Sequence, residues 1–390
     1  MSRRFPRVFL VLLLWVAGLG AAAQFAKIAV PFSWVRATYS DAGADVGWLL
    51  SLVSLVGAVL GVVAGDLVGR FGARRILILG LVLGGIISLW QATLPSFTPM
   101  LISRVIEGGS HLAIVVAAPT LISQLSSRKY VGAAMTLWST FFGVSFVFVA
   151  WVVLPLLGQG GLSLLFAGHG VFLLMVAVLS VLTLPQIRTP QQDPSAGIFS
   201  AHARAYASPW ISAPGAGWLV YTLTFVSLLA LLPESLPPAQ SGLAAGLMPL
   251  VSIVVSLLIV PFLLRSLSSV SIVAIGFTLA AALVLLNFHL DWQVRFMVGL
   301  FALLGLVQGS SFSAVPELNR NSEDQALAYG LMAQAGNTGN LLGTPLLLIV
   351  LDRWGDNGMY LSIAVLYLIG ALVHMILAWC RGKARSRSGR

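Results

Sequence analysis

Twelve apolar stretches, each about 20 residues long and bounded by charge, proline or a polar cluster, run the length of the sequence. They cover approximately residues 8–31, 45–68, 75–94, 98–123, 131–156, 162–184, 215–233, 241–264, 268–288, 293–315, 326–350 and 358–380. Backbone in lipid must satisfy its own N–H and C=O groups, and segments this long without period-2 alternation do so only as helices. The sequence therefore reads as an all-α membrane protein of twelve transmembrane helices. Its composition agrees: 9% of residues are charged and 58% hydrophobic, against about 25% charged in a soluble domain.

A formal charge of +10 would raise nucleic acid as a partner in a soluble protein. Here the basic residues sit in short segments between apolar runs, which dismisses it. With the N-terminus placed in the cytoplasm, seventeen of the 22 Lys and Arg fall on that side and three (Arg36, Arg295, Arg353) on the other, while Lys27 and Arg104 lie inside spans. Both termini cytoplasmic satisfies the positive-inside rule, as expected in a bacterial inner membrane. Arg3, Arg4 and Arg7 before an apolar run ending in Ala21-Ala22-Ala23 resemble a signal peptide. That run continues past Gln24 to Val30, long enough to be retained as the first span. The longest polar interruption, 185–214, is rich in Pro, Ser and Ala. It divides the chain into a six-helix half (1–184), a cytoplasmic linker (185–214) and a second six-helix half with a short basic tail (215–390). "VIEGGS" at 105–110 echoes "LVQGSS" at 306–311 in the corresponding span. Such repeats build secondary transporters, with the site near the midplane between halves.

Span 2 carries Gly57, Gly61, Gly65 and Gly69 at unbroken four-residue spacing, a bare stripe that lets another backbone approach closely. Its expected partners are small residues of span 11 such as Gly339 and Gly343, across the interface between halves. Asp66 and Arg70, at i and i+4, can pair. Gly69 and Gly72 permit a sharp exit into a short turn that Arg74 and Arg75 hold on the basic side.

That segment, "GDLVGRFGARR" at 65–75, resembles the signature between spans 2 and 3 of the major facilitator superfamily: Gly, x, Leu, small, Asp, basic, x, Gly, basic, basic. Gly65, Leu67, Val68, Gly69, Arg70, Gly72, Ala73 and Arg74 fill it, with Gly69 where the family has its acid and Ala73 where it has a basic residue. The resemblance implies a major facilitator fold with a central cavity. It also implies a cytoplasmic gate at Gly65, Asp66, Gly69, Arg70, Gly72 and Arg74, with Asp66 standing in for the missing acid. In span 4, Arg104, Glu107 and Gly108 match the family's Arg, x, x, polar, Gly element. Span 11, "AYGLMAQAGNTGNLLGTPL", is similar to the Gly- and Asn-rich eleventh helix of cyanate- and anion-type permeases. Span 5 lacks the Gly-Pro element of drug/proton antiporters.

An ionisable residue inside a span costs about 3 kcal/mol on insertion scales, so each one is a functional hypothesis. Arg104, Glu107 and His111 fall within about 60° of arc on span 4. Gln24 and Lys27 share a face of span 1, with Lys27 at a depth comparable with Arg104. The resemblance places both spans on the central cavity. Glu107 can neutralise one cation in a structural ion pair, which leaves one positive charge for a ligand. Trp138 in span 5 and Tyr221 in span 7 could stack on a substrate or serve as core aromatics. Gln308 in span 10 and Gln334, Asn337 and Asn340 in span 11 add neutral hydrogen-bonding groups, some of them used between helices. His169 and His374 lie on spans the family places at the periphery and read as structural.

These residues predict a secondary transporter that moves a small solute, a small anion held by Lys27 and Arg104, by alternating access. Proton-coupled efflux of lipophiles is the alternative, suited to an apolar cavity. No P-loop occurs, so a gradient supplies the energy, and Glu107 and His111 are the titratable candidates for a coupling proton. No His-Glu-x-x-His, Gly-x-Ser-x-Gly or carboxylate pair within the spans supports an intramembrane enzyme. A receptor would carry an output domain, which the tail "RGKARSRSGR" does not supply. The lone Cys380 excludes an intrachain disulfide framework and a cysteine metal cluster. The chain is read as a monomer in the lipid bilayer, with no cofactor, metal or nucleic acid.

Overall fold

The computed structural model describes residues 5–157, 161–186, 198–232, 236–287 and 293–388. Arg3, Arg4, Arg390 and residues 187–197 of the expected linker, Arg188 among them, lie outside the described residues. In chain order the helices are α1 (Arg7–Ala29), α2 (Phe32–Thr38), α3 (Trp48–Phe71), α4 (Ala73–Gln91), α5 (Phe97–Leu125), α6 (Val131–Ser139), α7 (Phe141–Phe148) and α8 (Leu154–Leu157). After them come α9 (Gly161–Thr183), α10 (Ile198–Ala207), α11 (Ser212–Leu231), α12 (Pro238–Val254), α13 (Val260–Leu263), α14 (Ser269–Asn287), α15 (Gln293–Leu318) and α16 (Ser322–Ser388). No strand occurs among the described residues.

Several of these helices join into single legs. One π-helical turn, Val149–Val153, links α7 to α8, and another, Val255–Ile259, links α12 to α13. Conversely, α16 breaks at Gly355, whose φ of 64° is costly for any residue with a Cβ. Its two arms are the eleventh and twelfth legs. Eleven helical stretches among the described residues are long and apolar enough to cross a membrane. The first arm of α16, with Gln334, Asn337 and Asn340, is the more polar remaining leg.

Apolar side chains such as Leu79, Trp151 and Leu258 are exposed on the outside of the bundle, where lipid rather than water is the solvent. Inside, α5 and α15 are the most enclosed, with 72% and 78% of their apolar stretch buried against 22% for Gly246–Leu263. These two helices carry the echoing "VIEGGS" and "LVQGSS" segments. One hydrophobic core gathers α1, α3, α4, α5, α6 and α9; it extends to Phe312 and Val315 of α15 and to Ala326–Met332 of α16. A second gathers α11, α12, α14, α15 and both arms of α16. The first six legs and the last six therefore share packing at the end of the bundle that carries the basic turns, termed the basic end below.

Candidate solute site

The two sets of six legs enclose a cavity of about 100 Å³ near mid-depth. Aromatic walls face it from both sides. On one, Trp138 stacks on Phe141 (centroids 4.6 Å apart, 26° between planes) and Phe25 packs on Phe142 at 5.7 Å. On the other, Trp218 stacks on Tyr221 at 4.6 Å and 17°, and Tyr221 on Phe225 at 4.8 Å. Neutral polar groups complete the lining: His111, Ser139, Thr222, Gln308, Asn337 and Asn340. No Asp, Glu, Lys or Arg is part of it among the described residues.

Most of the polar groups are already engaged. His111 Nδ1 lies 3.0 Å from Ala21 O. Gln308 Oε1 accepts from Tyr221 Oη at 3.0 Å and from Ser252 Oγ at 2.8 Å, and its Nε2 donates to Ser139 O at 2.7 Å, joining α15 to α6 of the other half. Asn337 Nδ2 donates to Ala333 O on its own helix at 2.8 Å. Two buried groups differ. Trp138 Nε1, a donor, and Asn340 Oδ1, an acceptor, have no hydrogen-bond partner among the described residues. A buried polar atom left unpaired costs about 1–3 kcal/mol, so each is available to a ligand group of the complementary hydrogen-bonding sense.

The structure corrects the expected charged lining. Gln24, Lys27, Arg104 and Glu107 do not line the cavity but lie inside the first six-leg bundle, at 0% or 1% exposure. Phe25 and Lys27 are about 200° apart around α1; Phe25 faces the cavity and Lys27 the bundle interior. Lys27 Nζ donates to Glu107 Oε1 at 2.5 Å, Gln91 Oε1 at 2.7 Å and Ser88 Oγ at 2.8 Å. Arg104 pairs through Nη1 with Glu107 Oε2 and donates through Nε to Leu49 O and through Nη2 to Gln24 O, both at 2.8 Å. Gln24 Nε2 donates to Ser110 Oγ at 2.9 Å. His169 belongs to this cluster rather than to a bland periphery: its Nδ1 lies 2.9 Å from Ser88 Oγ and 3.4 Å from Lys27 Nζ. The second cation, expected to await a ligand, is satisfied by amide and hydroxyl oxygens. Gln334 also sits outside the cavity, donating through Nε2 to Ala58 O at 2.9 Å.

At the basic end the halves touch backbone to backbone. A Cβ on Gly61 would meet Gly330 O at 2.6 Å, and one on Gly65 would meet Ala326 O at 2.6 Å. The stripe thus packs on the eleventh leg as expected but nearer its start; Gly339 and Gly343 pack instead on Thr222 and Leu223 of α11. Tyr329 Oη lies 2.6 Å from Ser123 Oγ, and Ser313 Oγ donates to Gly132 O at 3.1 Å. Of the expected gate, Gly69 is buried on the same stripe and Gly72 makes the turn at φ 87°. Asp66 pairs with Arg70 on its own helix at 2.8 Å. Arg74 stays within its half, donating to Leu184 O at 2.9 Å and Val181 O at 2.7 Å and so capping the end of α9. A charged contact onto the start of α16 comes from the linker helix: Arg204 of α10 pairs with Glu323 and lies 3.7 Å from Asp324. Tyr206 Oη on the same helix donates to Gln334 Oε1 at 2.7 Å.

The sequence-based expectations missed Phe25, Phe141, Phe142, Trp218, Phe225 and Phe312 of the cavity. Their signal was present as aromatic side chains on spans 1, 5, 7 and 10, but identical residues face lipid elsewhere, so periodicity alone does not separate them.

The family model described as the Major Facilitator Superfamily matches residues 10–316. A D-xylose transporter of Levilactobacillus brevis is 33% identical over 93 residues, 24% of this chain and 20% of that protein, so the match spans a fifth of the relative's length. Among solved structures, the fucose:proton symporter of E. coli superposes with a TM-score of 0.78 at 14% identity, over 95% of this chain and 99% of that one. The human organic anion transporter MFSD10 gives 0.74 at 17%, over 95% and 100%. A proton:xylose symporter gives 0.72 at 14%, over 94% of each.

Proposed function

The chain belongs to the major facilitator superfamily and is a multi-pass membrane transporter, and from that premise we propose that it carries a small, neutral, hydroxylated solute of the monosaccharide class by alternating access. The observation that carries this reading is the unpartnered donor Trp138 Nε1 and unpartnered acceptor Asn340 Oδ1 in an aromatic cavity without charge. A hydroxyl both donates and accepts, and the C–H faces of a sugar ring suit flanking aromatic walls. A small anion would be desolvated against no counter-charge, which is costly. Two proteins of similar fold and the local relative are fucose and xylose carriers, which supports the same substrate class; the organic anion of the third fold finds no Lys or Arg among the described lining residues.

In this reading, residues 1–184 and 215–390 rock about the cavity, and 185–214 links them. The basic end, cytoplasmic by the positive-inside rule, is shut in this structure, so in this state the solute exchanges only with the opposite side. Glu107, held between Lys27 and Arg104, is not assigned a coupling proton. Efflux of a neutral lipophile is the second reading, favoured by the predominance of rings over polar groups in the lining. Proteoliposome counterflow with labelled monosaccharides, small anions and a lipophilic dye separates them. Monosaccharide exchange is expected; exchange of the anion or the dye alone would overturn the proposal.

A further inference from the structure

A second cavity, of about 860 Å³, lies at the basic end between segments 128–133 of one half and 261–265 and 316–320 of the other. Its wall carries Arg128, Lys129, Arg265 and Arg320 against one carboxylate, Glu317. Glu317 is already engaged, its Oε2 accepting the backbone N–H of Ser269 at 2.8 Å. None of the four cations forms an ion pair among the described residues. Lys129 and Arg265 lie instead over the rings of Tyr130 and Phe262, at 5.2 and 5.7 Å. Tyr130 and Phe262 are 60% and 63% exposed and stand at the ends of transmembrane legs, the level at which aromatic residues meet lipid headgroups.

We propose that this cavity binds a phosphate group carried by an anionic phospholipid headgroup, and that its occupancy holds the basic end shut. Three arginines offer planar forks suited to phosphate oxygens. A wall of cations between membrane legs on the basic side is the electrostatic setting in which anionic headgroups are held. The volume exceeds what inorganic phosphate fills, which favours the headgroup over the free ion. Because the wall is drawn from both halves, it comes apart when this end opens. A ligand that binds the assembled wall better than the parted one shifts the population toward closure.

The test uses full-length protein in phosphatidylcholine nanodiscs with or without phosphatidylglycerol, and in detergent with inorganic phosphate. Closure is read by the rate of thiol labelling of Ala328→Cys, buried at this end, in a Cys380→Ser background. Phosphatidylglycerol should bind, seen by native mass spectrometry, and slow the labelling. The R128Q/R265Q/R320Q variant should bind it roughly a hundredfold more weakly, about fivefold per lost charge, and lose the slowing. R320Q alone, the milder change, should weaken binding about fivefold. Equal slowing by inorganic phosphate in detergent would reassign the site to a soluble ion and overturn the lipid source. Labelling indifferent to both anions, or wild-type lipid binding by the folded triple variant, would overturn the site itself.

Discussion

Phe25 and Lys27 are two residues apart on α1 and serve different purposes, one lining the solute cavity and the other neutralising Glu107 inside the bundle. The buried cluster is therefore a structural joint of α1, α4, α5 and α9. Glu107→Gln would leave two cations at 0–1% exposure without their carboxylate, a loss of about 3–5 kcal/mol for a broken buried pair. A marked fall of the thermal midpoint in detergent is expected, with the solute KM of the surviving protein near wild type; an unchanged midpoint with a raised KM would return the cluster to the solute path. Trp138→Phe keeps a six-membered aromatic ring but removes Nε1 together with the five-membered ring, so it should raise KM at least about tenfold, the worth of one hydrogen bond, with a modest loss of stability from the space left at this fully buried site. Transport assays across a concentration series check this. Helical arithmetic placed Arg104, Glu107 and His111 on one stripe and matched the depth of Lys27, both as found. It could not say whether the facing neighbour was a cavity or another helix, because that depends on tilt and on how legs are ordered in space.

At the scale of elements, the contact between α3 and the first arm of α16 decides whether the basic end can close. A Leu at Gly61 or Gly65 projects into the carbonyls of Gly330 or Ala326, neither of which can withdraw without parting the helices. Gly61→Leu should insert normally, lose transport, and label faster at Ala328→Cys from the basic side; wild-type transport would contradict the close-contact account. The linker helix is a weaker fastening. Arg204 is 44% exposed, and exposed pairs are worth about 0.2–1 kcal/mol. Arg204→Ala should therefore speed that labelling no more than about fivefold. The glycine stripe was legible because its four-residue period needs no tertiary information, although its register on the eleventh leg was not. Helix α10 was illegible: ten residues inside a Pro-, Ser- and Ala-rich segment look like linker until a surface exists for Ala201 and Ala205 to bury against.

For the whole molecule, twelve legs, an all-α class and membership of a transporter family followed from apolar run length and one motif, since lipid leaves a chain few other options. The chemistry of the cargo did not follow, because it rests on which face of each leg turns inward. The cavity found is aromatic, with no Asp, Glu, Lys or Arg among its described lining residues and with a buried donor, Trp138 Nε1, and a buried acceptor, Asn340 Oδ1, left unpartnered, and this is the account's central claim. It is tested most directly by calorimetric binding of a panel of neutral monosaccharides and small anions to the purified wild type, Asn340→Leu and Lys27→Gln proteins. The account predicts a monosaccharide bound by the wild type, at least about tenfold more weakly by Asn340→Leu, which lacks the acceptor, and with near-wild-type affinity by folded Lys27→Gln. An anion bound by the wild type, lost in Lys27→Gln and retained in Asn340→Leu would contradict it.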